Sequence, residues 1–274
     1  MSTIINAAEN PQLANQLLED VNKLVSQEVA GSIPEVVIPS LPDTTVTLAA
    51  GLIDPFAGTV STTAEVRELN GADEEAIAKL SDPGKALLAI LERATVSIGE
   101  EPATKQLLGS LLAGDREALF LAIRKATFGS EVEVSTVCDK CPELQTFKID
   151  LDKDVEVKKL DDPIRDRRFT VELKAGLAKV NLPTGDVQTQ IINATDKNSA
   201  ELDTMLLAAV TEIGDQPVLN ANRIRTLGIT DRRLLLDEIA KRNPGPQLSE
   251  IKKACGTCGQ EVYLPLTLAE LFRQ

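Results

Sequence analysis

The chain has 274 residues, of which 43% are hydrophobic and 26% charged, the balance of a globular protein long enough for one large or two ordinary domains without disulfide support. A formal net charge of −13 opposes binding to phosphate backbones and to anionic membrane surfaces, and the complete lack of histidine excludes a Ser-His-Asp triad, a Cys-His pair and any His-liganded metal. No apolar run approaches the length of a membrane span and no secretory signal is visible, so the thiols are expected to stay reduced in a cytosol.

Residues 10–30 read as a helix: Asn10 caps it, Pro11 suits its first turn, Gly31 stops it, and Leu13, Leu17, Val21 and Leu24 form one apolar stripe. Residues 32–62, rich in Pro, Gly and Thr, read as an extended arm with short strands such as Thr45–Leu48. A strand is expected over 64–70, then a helix opened by Asp73-Glu74-Glu75, a strong helix over 84–97 bearing Leu87, Leu88, Leu91 and Ala94, and a shorter one near 103–112. Asp115 is a candidate N-cap for a helix running to about Thr127, with Phe128-Gly129 as its stop. Val132, Val134 and Thr136 alternate with polar residues as a strand, and Phe147, Ile149 and Leu151 mark its return. Beyond the polar turn at Asp161-Asp162-Pro163, strands are expected at 169–173 and 178–182, a helix over 199–212, a helix capped by Asp231 and stopped at Pro244-Gly245-Pro246, and a last strand over 261–264. The cluster Arg165, Arg167 and Arg168 reads as a solvated linker, Gly176 and Gly185 as turn glycines, and the acidic pairs as caps and turns rather than catalytic acids.

All four cysteines fall in two Cys-x-x-Cys pairs, Cys138/Cys141 and Cys255/Cys258, each followed by a strand-like run. Two such knuckles can close on one ion through four thiolates, and Gly259 permits the tight turn the second one needs. The intended ion is a single structural zinc per chain, held by Cys138, Cys141, Cys255 and Cys258, with no open position for catalysis. A redox dithiol, uncoordinated thiols and a zinc shared with another chain stay open as alternatives, the first weakened because both pairs lie beside strands rather than at a helix N-terminus.

The halves of the chain match in order. Ser97-Ile98-Gly99-Glu100 answers to Glu212-Ile213-Gly214-Asp215, Asp115-Arg116 to Asp231-Arg232, Gly129 to Gly245, and Cys138/Cys141 to Cys255/Cys258, at spacings that drift from 115 to 117 residues. The expectation is an α+β protein of two related helix-plus-strand repeats, 61–160 and 161–274, joined on a pseudo-twofold by a zinc-ribbon-like pair of knuckles, with an N-terminal helix and docking arm over 1–60.

The segment from Leu111-Leu-Ala-Gly-Asp115-Arg through Phe128-Gly129 to Cys138, the closing run from Asp231-Arg-Arg through Pro244-Gly245 to Cys255-Gly-Thr-Cys-Gly259 and Leu264-Pro-Leu, and the entry Val66-Arg-Glu-Leu-Asn-Gly-Ala-Asp-Glu-Glu75 together resemble baseplate hub proteins and hub assembly chaperones of contractile-tailed bacteriophages. The resemblance covers about residues 32–274, and departs where Pro142 and Glu143 follow the first knuckle. It implies a non-enzymatic structural protein of the tail baseplate, assembled in the host cytoplasm and resident in the virion. Its partners would be other tail and baseplate hub proteins or a second copy of itself, with neither nucleic acid nor membrane. The alternatives are a transient hub assembly chaperone absent from the finished particle, a metal- or thiol-dependent redox protein, and a nucleic-acid-binding zinc ribbon that the acidic charge and scarce aromatics oppose.

Overall fold

The computed structural model describes residues 44–54, 57–141, 144–214, 216–217 and 221–272. The helix expected over 10–30 and the arm up to residue 43 lie outside the described residues, as do Pro142 and Glu143.

The first repeat begins earlier than its sequence suggests. Strand β1 (Thr45–Ile53) is nine residues long and buries Val46, Leu48, Ala49 and Ala50, so this stretch belongs to the core and not to an extended arm. It pairs antiparallel with β2 (Val60–Val66). Asn70 caps α1 (Gly71–Ile77) through a capping box with Asp73. Asp82 caps α2 (Pro83–Ala94), which ends where Thr95 folds its hydroxyl back onto the Leu91 carbonyl at 2.8 Å. The chain then runs straight into β3 (Thr95–Ile98), where a longer helix was expected; pairing with β2 outweighs the helical pattern there. A turn at Gly99, with φ of 61°, leads to β4 (Glu101–Pro102). Two helices follow, α3 (Lys105–Ser110) and α4 (Ala113–Phe128), then the hairpin β5 (Glu131–Val137) and β6 (Leu144–Asp150) in unbroken register.

A short strand, β7 (Val157–Lys158), leads to the second repeat. It opens with the hairpin β8 (Arg168–Leu173) and β9 (Gly176–Asn181) around Gly176, followed by α5 (Gly185–Asn193). Next come α6 (Ser199–Val210), β10 (Thr211–Ile213), a turn at Gly214 with φ of 66°, and β11 (Gln216–Pro217). Helices α7 (Ala221–Arg225) and α8 (Ile229–Arg242) precede β12 (Gly245–Pro246) and the small hairpin β13 (Lys252–Ala254) and β14 (Glu261–Tyr263); α9 (Leu268–Leu271) follows.

Two four-stranded sheets thus have the same order, β1-β2-β3-β4 and β8-β9-β10-β11, and each is followed by a short helix, a long helix and a cysteine-bearing hairpin. The duplication read from the sequence is a duplication of structure, and the α+β class holds. Each sheet packs on its own long helix. One cluster joins Leu48, Val66, Leu91, Leu119 and Ile123, and its counterpart joins Val180, Leu207, Ile213, Leu235 and Ile239. A third cluster, containing Phe147, Ile149, Ile251 and Leu264, unites the two hairpins.

Both Asp-Arg pairs do something other than cap helices. Helix α4 starts two residues before Asp115, whose fully buried carboxylate reaches back to accept the Ala50 N–H at 2.9 Å. Asp231 repeats the device, accepting the N–H groups of Lys174 and Ala175. A buried acceptor aimed at backbone donors, at the irregular stretch of β1 in one repeat and at the β8–β9 turn in the other, fixes the hairpin to the helix. Burial pushes the Asp115 carboxyl above its ordinary value despite the Ala50 N–H. Arg167 is no solvated linker either: it donates to the carbonyls of Ala50, Gly51 and Pro163. Gly185, expected as a turn glycine, is a buried first residue of α5, pressed between the Leu108 carbonyl and the Arg116 side chain.

Candidate metal centre

The two hairpins bring the cysteines together. Val132, Phe147 and Ile149 anchor the first hairpin in the shared core, and Val262 with Ile251 anchors the second. Cys138 leaves β5 at the end of its ladder, where Val137 pairs with Leu144. In the second hairpin the Cys255 N–H donates to the Gln260 carbonyl at 2.7 Å and the Gly259 N–H donates back to the Cys255 carbonyl at 2.8 Å. Gly259 sits at φ of 71°, the left-handed conformation expected of it.

The four sulfurs of Cys138, Cys141, Cys255 and Cys258 lie within 4.8 Å of one another. Cys138 and Cys258, one from each hairpin, are 3.8 Å apart through their sulfurs, and all four thiols are free of disulfides. A tetrahedral four-thiolate shell with bonds of about 2.3 Å sets its sulfurs about 3.8 Å apart, so the Cys138–Cys258 pair stands at the spacing such a shell requires and no pair exceeds it by more than about 1 Å. Cys138 and Cys255 are buried, Cys141 is half-buried and Cys258 exposed, which leaves one side for an ion to enter.

The electrostatics point the same way. The Cys255 thiol is drawn down to about 6, chiefly by the backbone N–H of Cys258, then by the N–H of Thr257 and by the side chains of Cys258 and Gln145. Cys141 is pushed up to about 12 by the sulfur of Cys258, with further contributions from burial and from Cys255. One thiol ionises readily and its neighbour then resists a second negative charge, a resistance that a divalent cation among the sulfurs would remove.

The sequence reading did not single out Gln145. Its amide donates to the Cys255 sulfur at 3.1 Å and to the Thr257 hydroxyl at 2.9 Å, tying the first hairpin to the second knuckle. A signal was present: Gln145 shares the inward phase of β6 with Phe147 and Ile149, and a polar residue on that face asks for a polar partner. Lys253 adds an ion pair to Asp154 at 2.6 Å between β13 and the segment after β6.

A family model described as T4 bacteriophage base plate protein matches residues 59–273, which hold both cysteine hairpins, the whole second sheet and the first sheet apart from β1. No curated protein and no solved structure matches the chain.

Proposed function

Because the chain belongs to the T4 bacteriophage base plate protein family, we propose that it is a non-enzymatic, hub-associated scaffold of the phage tail base plate whose repeats are clamped by one structural zinc. A base plate protein works in contact with other base plate components. The match across both repeats carries the assignment to the base plate. The zinc is supported by the gathered sulfurs of Cys138, Cys141, Cys255 and Cys258. Four thiolates fill a tetrahedral shell, so the ion would contribute folding energy and leave no position for substrate. The two repeats, the first reaching back to β1 and the second over 161–274, would then act as one body presenting its surfaces to hub and tail subunits, with the residues before β1 as a docking arm.

Mass spectrometry of purified virions, beside elemental analysis of the isolated chain, tests both parts. The scaffold reading expects a fixed copy number in the particle and one zinc per chain. Presence in infected-cell extracts but not in particles would replace it with the transient hub assembly chaperone.

A further inference from the structure

Among the described residues, the two repeats are held together by a contact that is made once, although its components occur twice. The strap Leu111–Arg116, leading into α4, seats on the entrance to α5. The Ala113 N–H donates to the Pro183 carbonyl at 2.9 Å and the Gly185 N–H donates to the Leu111 carbonyl at 2.8 Å. Leu112 and Thr184 form a bridge, Arg116 donates to the Gly185 carbonyl, and Gly114 presses on Pro244-Gly245. Leu112 and Ala113 are thereby 1% and 4% exposed.

The duplication supplies a second strap and a second seat. Aligning Asp115 with Asp231 puts Leu227–Arg232 in the place of the strap, with Ile229 where Ala113 stands. Aligning the caps Thr184 and Asn70, and Gly245 with Gly129, puts Leu69–Gly71 and Phe128-Gly129 in the place of the seat. Among the described residues neither copy is engaged. Ile229 is 71% exposed, and the seat copy is an open apolar groove of about 560 Å³ lined by Leu69, Ile77, Leu87, Ile90 and Phe128. Among the described residues, the Ile229 N–H and the Leu227 carbonyl make no hydrogen bond, and neither do the Gly71 N–H and the Leu69 carbonyl. These four groups correspond one for one to those paired in the closed contact.

We infer that the chain associates head to tail with a second copy of itself, the Ile229 strap of one molecule seating in the Phe128 groove of the next. The Ile229 N–H would donate to the partner's Leu69 carbonyl and the Leu227 carbonyl would accept from the partner's Gly71. Charge agrees with this pairing. Exposed Glu74 lines the groove, with exposed Glu68 and Glu75 next to lining residues in the chain, and exposed Arg223, Arg225 and Arg233 flank the strap. A contact between unlike surfaces leaves one strap and one seat free in every dimer, so it propagates into a ring or an open file of molecules. The inference rests on the repeat and not on the base plate assignment.

Sedimentation and light scattering of the full chain over about 1 µM to 1 mM, the range in which modest interfaces associate, test it. Wild type should form dimers and longer species as concentration rises. Ile229→Glu (strap) and Ala78→Glu (groove wall) lie at exposed positions, and each should weaken association by at least about tenfold with melting unchanged. An equimolar mixture of the two variants should form dimers and nothing longer, since the intact strap of one meets the intact groove of the other. A wild type that stays monomeric throughout, an association indifferent to Ile229→Glu, or a mixture that behaves like each variant alone would overturn the inference. A monomer that binds only a different protein through the groove would do the same.

Discussion

Gly114 and Gly245 meet backbone to backbone: a Cβ on Gly114 would lie 1.6 Å from the Pro244 carbonyl oxygen, and one on Gly245 would lie 2.4 Å from the Gly114 carbonyl oxygen. The start of α4 can press on the chain after α8 only while both side chains are hydrogen, and this contact is a main seam between the repeats. Gly114→Ala should therefore cost more than about 3 kcal/mol, since the obstacle is backbone and cannot swing aside. Gly129→Ala, at φ of 82° but facing open space, should cost about 1–2 kcal/mol from backbone strain alone. Urea denaturation of the two variants checks the contrast, and equal losses would show that crowding at Gly114 is not the cause.

Cys138→Ser and Cys255→Ser should each abolish one-to-one zinc retention, and chelation of wild type should lower stability by several kcal/mol, toward the scale of about 10 kcal/mol for structural zinc. The sign with pH follows from Cys141 and Cys255. Protons already compete for Cys141, pushed up to about 12, at neutral pH, and the Cys255 thiol, held at about 6, is reprotonated in turn as pH falls through that value, so zinc affinity declines with falling pH and more steeply below about 6. Elemental analysis after dialysis at graded pH reads this directly. Retention unaltered in the serine variants would remove the four-sulfur site.

Gln145→Leu preserves side-chain bulk but removes the donor to Cys255 and Thr257. Zinc affinity measured by chelator competition should fall about 10- to 100-fold with the fold intact, the usual effect of losing a hydrogen bond to a ligand. An unchanged affinity would make Gln145 a packing residue only.

Asp73 is a buried carboxylate gripped by Arg67 at 2.6 Å and by Arg93 at 2.7 Å, with the Asn70 N–H donating at 3.0 Å. Its hydrogen bond from Arg67, above all, holds its carboxyl far below the usual range. The unfolded chain takes up this proton first as pH falls, so the group's stabilisation is complete above about pH 4 and is lost progressively below it. Asp73→Asn should cost about 2–3 kcal/mol at neutral pH, because both arginines are partly exposed and can return to water, and should flatten the acid limb of the stability profile. Melting temperatures from pH 7 to pH 2 compare the two proteins; parallel profiles would remove Asp73 as the cause.

The cysteine knuckles, the hairpin that carries the first pair and the duplication were all legible, because each leaves a local mark: fixed spacing, strict alternation, or a motif repeated in order. Residues 45–53 read as part of an arm with short strands because Pro and Thr dominate the surrounding composition, yet their apolar positions fit a sheet completed by β3, some forty residues on. Asp115 and Asp231 look like caps because helices do begin near them. Their true partners, Ala50 and Lys174-Ala175, are 65 and 57 residues away and only folding brings them close. Arg167 misleads in the same way, since the carbonyls it serves belong to β1. The strands β3 and β10 follow their helices with no Gly or Pro between, so nothing local announces the change.

With an ion in place, the joined hairpins would also determine how the molecule carries load. Everything between Cys141 and Cys255, the whole second sheet included, hangs from the sulfur cluster as a side loop. Tension entering before Cys138 and leaving after Cys258 would pass through metal–sulfur bonds and bypass that loop, which would stay slack while the shell holds. In an optical trap, extension before rupture should exclude the second repeat, and stripping the ion should release it.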